Sequence, residues 1–188
     1  MQHQSKKASQ EKSLWKWNKI MKIENITNKY KVRKFVEIDI PAIYELCSEN
    51  TTYYGYMKMQ PTFDNLKEVF TERPPKVSME DKYFIGFYKN DTLIALMDFC
   101  VGYPEEKALY LGWFMVKKEL QKTGVGREII KDFISFLQNE NIKAIELGCI
   151  KDNVEALNFW KKHGFLLTGL ETDAGDYIVL GMRQELAE

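Results

Sequence analysis

The chain has 188 residues, enough for one domain with at most a short appendage. Apolar residues make up 45% of it, and eleven Phe, ten Tyr and four Trp supply bulk for a core. Lys plus Arg and Asp plus Glu both number 27, giving a formal net charge of zero; this excludes the basic footprint of a nucleic-acid binder, and no apolar run approaches the roughly 18–20 residues that cross a bilayer.

In chain order, residues 1–28 read as a polar, Lys-rich extension, broken by Leu14, Trp15, Trp17, Ile20 and Met21. It lacks an apolar stretch with a small-residue cleavage site, so it is not expected to be a secretory signal. A flexible extension is expected, with Met21 able to begin the domain; a basic amphipathic anchor is the alternative. The domain is expected over 29–188. Tyr30–Ile38 alternates as a strand. Asp39 can cap a helix with Pro41 in its first turn, running to Glu49 with Ile43 and Leu46 inward. Thr62 opens a second short helix carrying Phe63, Leu66 and Phe70, and Arg73-Pro74-Pro75 ends it.

Lys82–Tyr88 and Thr92–Val101 flank the hairpin turn Lys89-Asn90-Asp91. After the loop Gly102–Lys107 comes the apolar run Ala108–Val116. Gly124–Glu140 is the clearest helix, with Val125, Ile129, Ile130, Phe133, Ile134 and Leu137 at three- and four-residue spacing. Ala144–Ile150 reads as a buried strand, and Asn153–His163 as a helix stopped by Gly164 in the left-handed cap position. Phe165–Leu170 and Asp176–Arg183 close as a hairpin across Thr172–Gly175. The order β-α-α-β-β-β-α-β-α-β-β is that of an α/β sandwich on a largely antiparallel sheet. Cys47, Cys100 and Cys149, odd in number and far apart, suit reduced, buried thiols in a cytoplasmic protein. With His3 and His163 the only histidines and no close Cys pair, no metal site is expected.

Chemistry concentrates in Val116-Lys117-Lys118-Glu119-Leu120-Gln121-Lys122-Thr123-Gly124-Val125-Gly126, which joins a buried strand to the longest helix. Glycines at 124 and 126 let the backbone curl round a ligand without a Cβ in the way. The first N–H groups of the helix then point at that ligand, with the helix dipole behind them. Such a loop can cradle a pyrophosphate, with Lys122 and Arg127 adding positive charge. The spacing is neither that of a P-loop nor that of a GxGxxG dinucleotide fingerprint.

The stretch resembles the acetyl-CoA loop of the GNAT superfamily, Gln/Arg-x-x-Gly-x-Gly/Ala, with Val116 matching the family's valine five residues ahead of Gln121. Downstream, Asn153-Val154-Glu155-Ala156-Leu157-Asn158-Phe159-Trp160-Lys161-Lys162-His163-Gly164-Phe165 is similar to the family's Asn-x-x-Ala-x-x-Phe-Tyr-x-x-x-Gly-Phe, except that Trp160 stands for the tyrosine. The close matches cover about 108–165, and the element order agrees from Lys29 onward.

The resemblance implies a GNAT-like mixed sheet of about seven strands flanked by about four helices, and acetyl-CoA as co-substrate without a metal. It implies that the backbone of Phe114, Met115 and Val116 faces the acetyl group and pantetheine, one N–H polarising the thioester carbonyl. It implies further that backbone amides of Lys122, Thr123, Gly124, Val125, Gly126 and Arg127 hold the pyrophosphate, with Gln121 also in the cofactor site, and that Asn153 contacts the pantetheine. The strands Ala108–Val116 and Ala144–Ile150 are expected to splay apart and admit it.

Trp160 cannot serve as the general acid that the family's tyrosine provides, since an indole N–H has negligible acidity; packing along the cofactor is the role left to it. The glutamate base of some relatives would fall at Tyr110, which is expected to shape the acceptor pocket. Asp98 interrupts the apolar run Leu93–Cys100 in a mid-sheet strand and must have a partner if buried. Two readings stand for it, acceptor binding or deprotonation, and a hydrogen-bonded structural role. Tyr53, Tyr54 and Tyr56 offer an aromatic wall or plain packing, and His163 reads as a partner of its helix dipole.

The expected activity is acetyl transfer to an amine of a small molecule or peptide, by direct attack in a ternary complex. The alternative is a non-catalytic acyl-CoA-binding sensor. Neither nucleic acid nor membrane is expected as a partner, and a homodimer is compatible with the pattern.

Overall fold

The computed structural model describes residues 21–186. Seven strands, β1 (Lys31–Lys34), β2 (Lys82–Lys89), β3 (Thr92–Val101), β4 (Ala108–Val116), β5 (Ala144–Ile150), β6 (Leu166–Asp173) and β7 (Ile178–Glu185), form one sheet in the order β1-β2-β3-β4-β5-β7-β6. Every pairing is antiparallel except β4 with β5. The helices are α1 (Ile40–Glu49), α2 (Thr51–Tyr56), α3 (Phe63–Val69), α4 (Val125–Asn139) and α5 (Val154–Lys162). The β2–β3 turn has Asn90 and Asp91 both at positive φ, 49° and 59°, the conformation whose twist matches a tight hairpin. Gly164 at φ +90° ends α5 in the left-handed cap position.

The helices divide over the two faces. On one, α4 buries Ile129, Ile130, Phe133, Phe136 and Leu137 as a stripe against β3, β4 and β5, with Phe133 5.2 Å from Phe99 by ring centroids. On the other, α1 buries Ile43, Leu46 and Cys47 beside Phe84, Leu96 and Met115. Cys100 and Cys149 are buried as well, and desolvation pushes all three thiols up to about 11. No helix among the described residues is long and apolar enough to cross a membrane.

Several boundaries differ from expectation. The first strand ends at Lys34, because Asp39 folds the chain back: its carboxylate accepts two 2.7 Å bonds from the Arg33 guanidinium and one of 2.9 Å from the Val36 N–H. Asp39 therefore does not cap α1 through its side chain, as its position had suggested. Residues 51–56 form a helix the sequence did not announce; Thr, Tyr and Gly are poor helix formers, and the turn is held by Tyr54 packing in the α1 face of the core. Met21, Ile23 and Ile26 are 6%, 6% and 3% exposed and belong to the α4-side core. The packed body thus reaches back to Met21, ahead of the boundary expected at Lys29, while residues 1–20 lie outside the described residues.

Candidate active site

The site begins as a fault in the sheet. β4 and β5 pair only from Ala108↔Ala144 to Leu111↔Leu147, so beyond Leu111 the two strands part and the β5-facing edge of β4 has no ladder partner among the described residues. The break coincides with a bulge: Asp98 pairs with Trp113 and Phe99 with Leu111, which leaves Gly112 opposite no residue of β3. A bulge re-aims the strand and frees backbone polar groups. At Gly112 a Cβ would lie 3.1 Å from Asp98 Oδ2, and at Gly148, across the gap, it would lie 2.7 Å from Val179 Cγ1 and 3.4 Å from Tyr110 Oη. Gly148 thus leaves room within the gap, and Gly112 leaves room for the Asp98 carboxylate.

A cleft of about 690 Å³ fills this gap and runs to the start of α4. Phe114, Met115 and Val116 line it from β4. Gln121, Lys122, Gly124, Gly126 and Arg127 line it from the loop, and Asn153 and Trp160 from α5. Gly124 is the N-cap of α4 at φ +101°, a backbone state costly for any residue with a Cβ. A Cβ at Gly126 would sit 3.4 Å from Val116 Cγ2, so glycine there lets the helix start press close to the end of β4. The first turn of α4 thereby offers its free N–H groups to the cleft, as an anion site requires.

The expected role of the loop falls to its backbone amides, and several of its side chains point away from the cleft. Thr123 Oγ1 donates to Leu120 O at 2.7 Å, and Val125 packs against the core; neither side chain lines the cavity. Lys122 pairs with Glu155 at 3.4 Å on the surface. Gln121 spends its amide inward, donating to Asn50 Oδ1 at 2.5 Å and to Val116 O at 3.1 Å. Asn50, 4% exposed, donates in turn to Leu46 O and Val116 O. This network ties the end of β4 to α1 and to the loop. Asn153 Oδ1 caps α5 by accepting the Ala156 N–H at 3.0 Å. Trp160 is 8% exposed and wedged among Phe114, Phe159 and Phe165, with one edge in the cleft.

A second cavity of about 530 Å³ lies under α2 and α3. Tyr53, Met57, Tyr110, Gly112 and Trp113 line both cavities, so the two meet at the bulge. Tyr54 adds to the second wall, whereas Tyr56 lies outside both linings. Burial raises the Tyr53 and Tyr110 phenols above their usual value, with Tyr177 next in the case of Tyr53 and Tyr103 in that of Tyr110. Both are therefore neutral hydrogen-bonding groups at ordinary pH.

Asp98 lines the second cavity. Its Oδ1 is held at 2.6 Å by Lys82 Nζ, whose side chain is 2% exposed against 15% for Asp98. Desolvation pushes the Asp98 carboxyl up to about 6, opposed by Lys82 and reinforced by Glu72. The burial of this carboxylate was legible in the apolar run around it, but its partner was not. Asn50, Lys82, Gly112 and Trp113 are the residues that sequence reasoning passed over. Only Gly112, a glycine inside a strand pattern, carried a local signal for its role.

Residues 40–165, roughly two thirds of the chain, match the model of the acetyltransferase (GNAT) family. Among solved structures, the fold is similar to that of Ard1 from Thermoplasma volcanium, with a TM-score of 0.64 and 19% identity over 85% of this chain and 99% of that one. It is also similar to the PaiA N-acetyltransferase of Thermoplasma acidophilum in complex with coenzyme A, with a TM-score of 0.60 and 15% identity over 83% of this chain and 98% of that one. A spermidine N-acetyltransferase chimera from Vibrio cholerae gives a TM-score of 0.65 and 18% identity over 85% and 96%. Identities this low speak for the fold alone.

Proposed function

The chain belongs to the GNAT acetyltransferase family, and we propose that it transfers the acetyl group of acetyl-CoA to an amine by direct attack in a ternary complex. One observation carries the reading. The glycine loop at the start of α4 and the parted strands β4 and β5 open into a single cleft, and that cleft meets a second cavity at the Gly112 bulge. Pyrophosphate on the α4 N-terminus and pantetheine between the strands would bring the thioester to the bulge, with the acceptor entering from the α2–α3 side.

In this reading the amine nitrogen attacks the acetyl carbon and the C–S bond breaks. A backbone N–H of the unpaired edge of β4 stabilises the oxyanion. Asp98, in its ionised form, takes the proton that the ammonium must lose, directly or through water. Tyr110, with Tyr53, shapes the pocket wall. The thiolate is a tolerable leaving group without a dedicated acid, because a thiol ionises near 8.5.

The test is a panel of amines, amino acids and peptides with CoA release as readout, alongside calorimetry of acetyl-CoA binding. Acetyl-CoA-dependent CoA release with at least one amine is the expected result. A second reading, an acyl-CoA sensor without transfer, is favoured by Trp160 standing where relatives carry tyrosine. Tight acetyl-CoA binding with no transfer to any amine would decide for it.

A further inference from the structure

Asp98 and Lys82 meet across two strands. Phe84 on β2 pairs with Asp98 on β3, and Lys82, two residues earlier on the same face, pairs with Cys100. Lys82 stands at the first position of β2, and its side chain reaches diagonally to Asp98 Oδ1 at 2.6 Å while remaining 2% exposed. A lysine is almost never this buried unless paired. Its side chain is paired with the Asp98 carboxylate, which lines the acceptor cavity. With Oδ1 held on the β2 side, Oδ2 faces β4 at the bulge, 3.1 Å from where a Gly112 Cβ would stand. One oxygen is thus fixed to the body, and the other lies where the two cavities meet.

The electrostatic consequence follows from the geometry. At the inner end of the acceptor cavity the charges of Lys82 and Asp98 cancel, so this end is a poor counter-ion for a strongly basic ammonium. The other charged and titratable groups facing the cavity are Glu68 within α3 and Glu72 after it, Arg73, Cys100 on β3, Tyr53 and Tyr54 on α2, and Tyr110 on β4. Arg73 donates to the carbonyls of Val77 and Thr71, both at 2.8 Å; Glu68 and Glu72 are exposed, and Glu72 acts on Asp98 in the sense opposite to Lys82, raising its carboxyl. None of them replaces Lys82 at Asp98 Oδ1.

We propose that Lys82 is a positioning residue of the acceptor site, pinning Asp98 and cancelling its charge, and that the site thereby takes a weakly basic amine of the α-amino kind in preference to an alkylammonium. The proposal rests on the reading of Asp98 as the proton acceptor. An α-ammonium, ionising near 7.7–8.0, surrenders its proton to a carboxylate far more readily than an alkylammonium near 10.4. The carboxyl value of about 6 brought about by burial fits the former. A free carboxylate could compensate the alkylammonium by binding it as an ion pair; a carboxylate already paired with Lys82 cannot.

The experiment compares glycinamide and pentylamine as acceptors in the full chain, wild type against Lys82→Met. Wild type is expected to favour glycinamide by roughly a hundredfold or more in kcat/KM at neutral pH, in line with the two amines' neutral fractions. Lys82→Met should move the acidic limb of the glycinamide pH profile upward, since Lys82 holds the Asp98 value down. It should also narrow the preference, because an alkylammonium can then occupy the vacated place beside Asp98. Lys82→Arg, which keeps the charge, should restore both. If Lys82→Met does not fold, Lys82→Gln, which keeps a donor without the charge, gives the same readout. An acidic limb and a preference unmoved by loss of the charge, or a wild type that favours pentylamine, would overturn the inference while leaving acetyl transfer in place. A carboxyl-carbon NMR titration of Asp98 reads the pairing without turnover. If wild type binds acetyl-CoA but acetylates no amine, the transfer reading falls, and an Asp98 midpoint unchanged by Lys82→Met would remove the positioning role as well.

Discussion

Asp98 concentrates the chemistry of single residues in this protein. A carboxyl raised to about 6 is protonated below that value and ionised above it. If it takes the acceptor's proton, turnover of wild type should fall as pH drops through about 6. Asp98→Asn keeps shape and burial but removes the base, so turnover should fall by about 10²-fold or more and the acidic limb should vanish. Acetyl-CoA affinity should hardly change, because Asp98 lines the second cavity and not the cleft. Steady-state rates across pH with calorimetry alongside check this, and normal turnover by Asp98→Asn would reduce Asp98 to a structural group. The same value has a stability consequence. A carboxyl that binds its proton more tightly folded than unfolded stabilises the fold at low pH, and this contribution is lost as pH rises through about 6. That Asp98 needed a partner could be read from the apolar run around it. Which partner could not, because Lys82 lies sixteen positions away and is brought there by the β2–β3 register.

Elements do the placing, and two glycines show it in different ways. Gly112 sits at the bulge, where an added methyl would come within 3.1 Å of Asp98 Oδ2. Gly112→Ala should therefore displace the carboxylate and lower kcat about tenfold or more, with a folded protein that still binds acetyl-CoA; full activity would mean that the bulge tolerates a side chain. Gly124 meets no neighbour within 4 Å but holds φ +101° as the N-cap of α4. Gly124→Val pays about 1–2 kcal/mol for that conformation and should abolish acetyl-CoA binding by re-aiming the first turn. Undiminished calorimetric affinity in this variant would remove the loop from the site. The loop was legible because its signal is local: two glycines before a periodic helix. The bulge and the parting of β4 from β5 arise between strands, where no single segment records them. The short helix α2 escaped notice for a related reason, since its turn depends on Tyr54 finding the core and not on helix propensity.

At the scale of the whole molecule, the order of elements could be read along the chain, because apolar periodicity switches cleanly between strand and helix. The N-terminal limit of the packed body was less plain, Met21 standing only as a possible start beside the boundary at Lys29. Ile23–Asn25 is a single 3-10 turn, too short and irregular to show a period, so the apolar residues around it looked scattered. In the folded protein Met21, Ile23 and Ile26 are buried in the α4-side core. The Met21 N–H donates to Tyr83 Oη at 3.1 Å, and Thr27 Oγ1 to Asp132 Oδ2 at 2.7 Å. Fully burying each of the three apolar side chains contributes about 1.5–3 kcal/mol, together about 5–9 kcal/mol, an upper estimate because the unfolded chain already hides part of that surface. A domain of this size has only about 5–15 kcal/mol of net stability. Two truncations therefore separate the boundaries. Removing residues 1–20, which lack the spacing of a core element, should leave the melting temperature within a few degrees. Removing residues 1–28 strips Met21, Ile23, Ile26 and Thr27 from the core and should leave a protein largely unfolded at 25 °C by circular dichroism. A stable, acetyl-CoA-binding 29–188 fragment would show that the segment from Met21 merely decorates the domain, and a collapse on removing 1–20 alone would mean that Trp15 or Trp17 packs on the body.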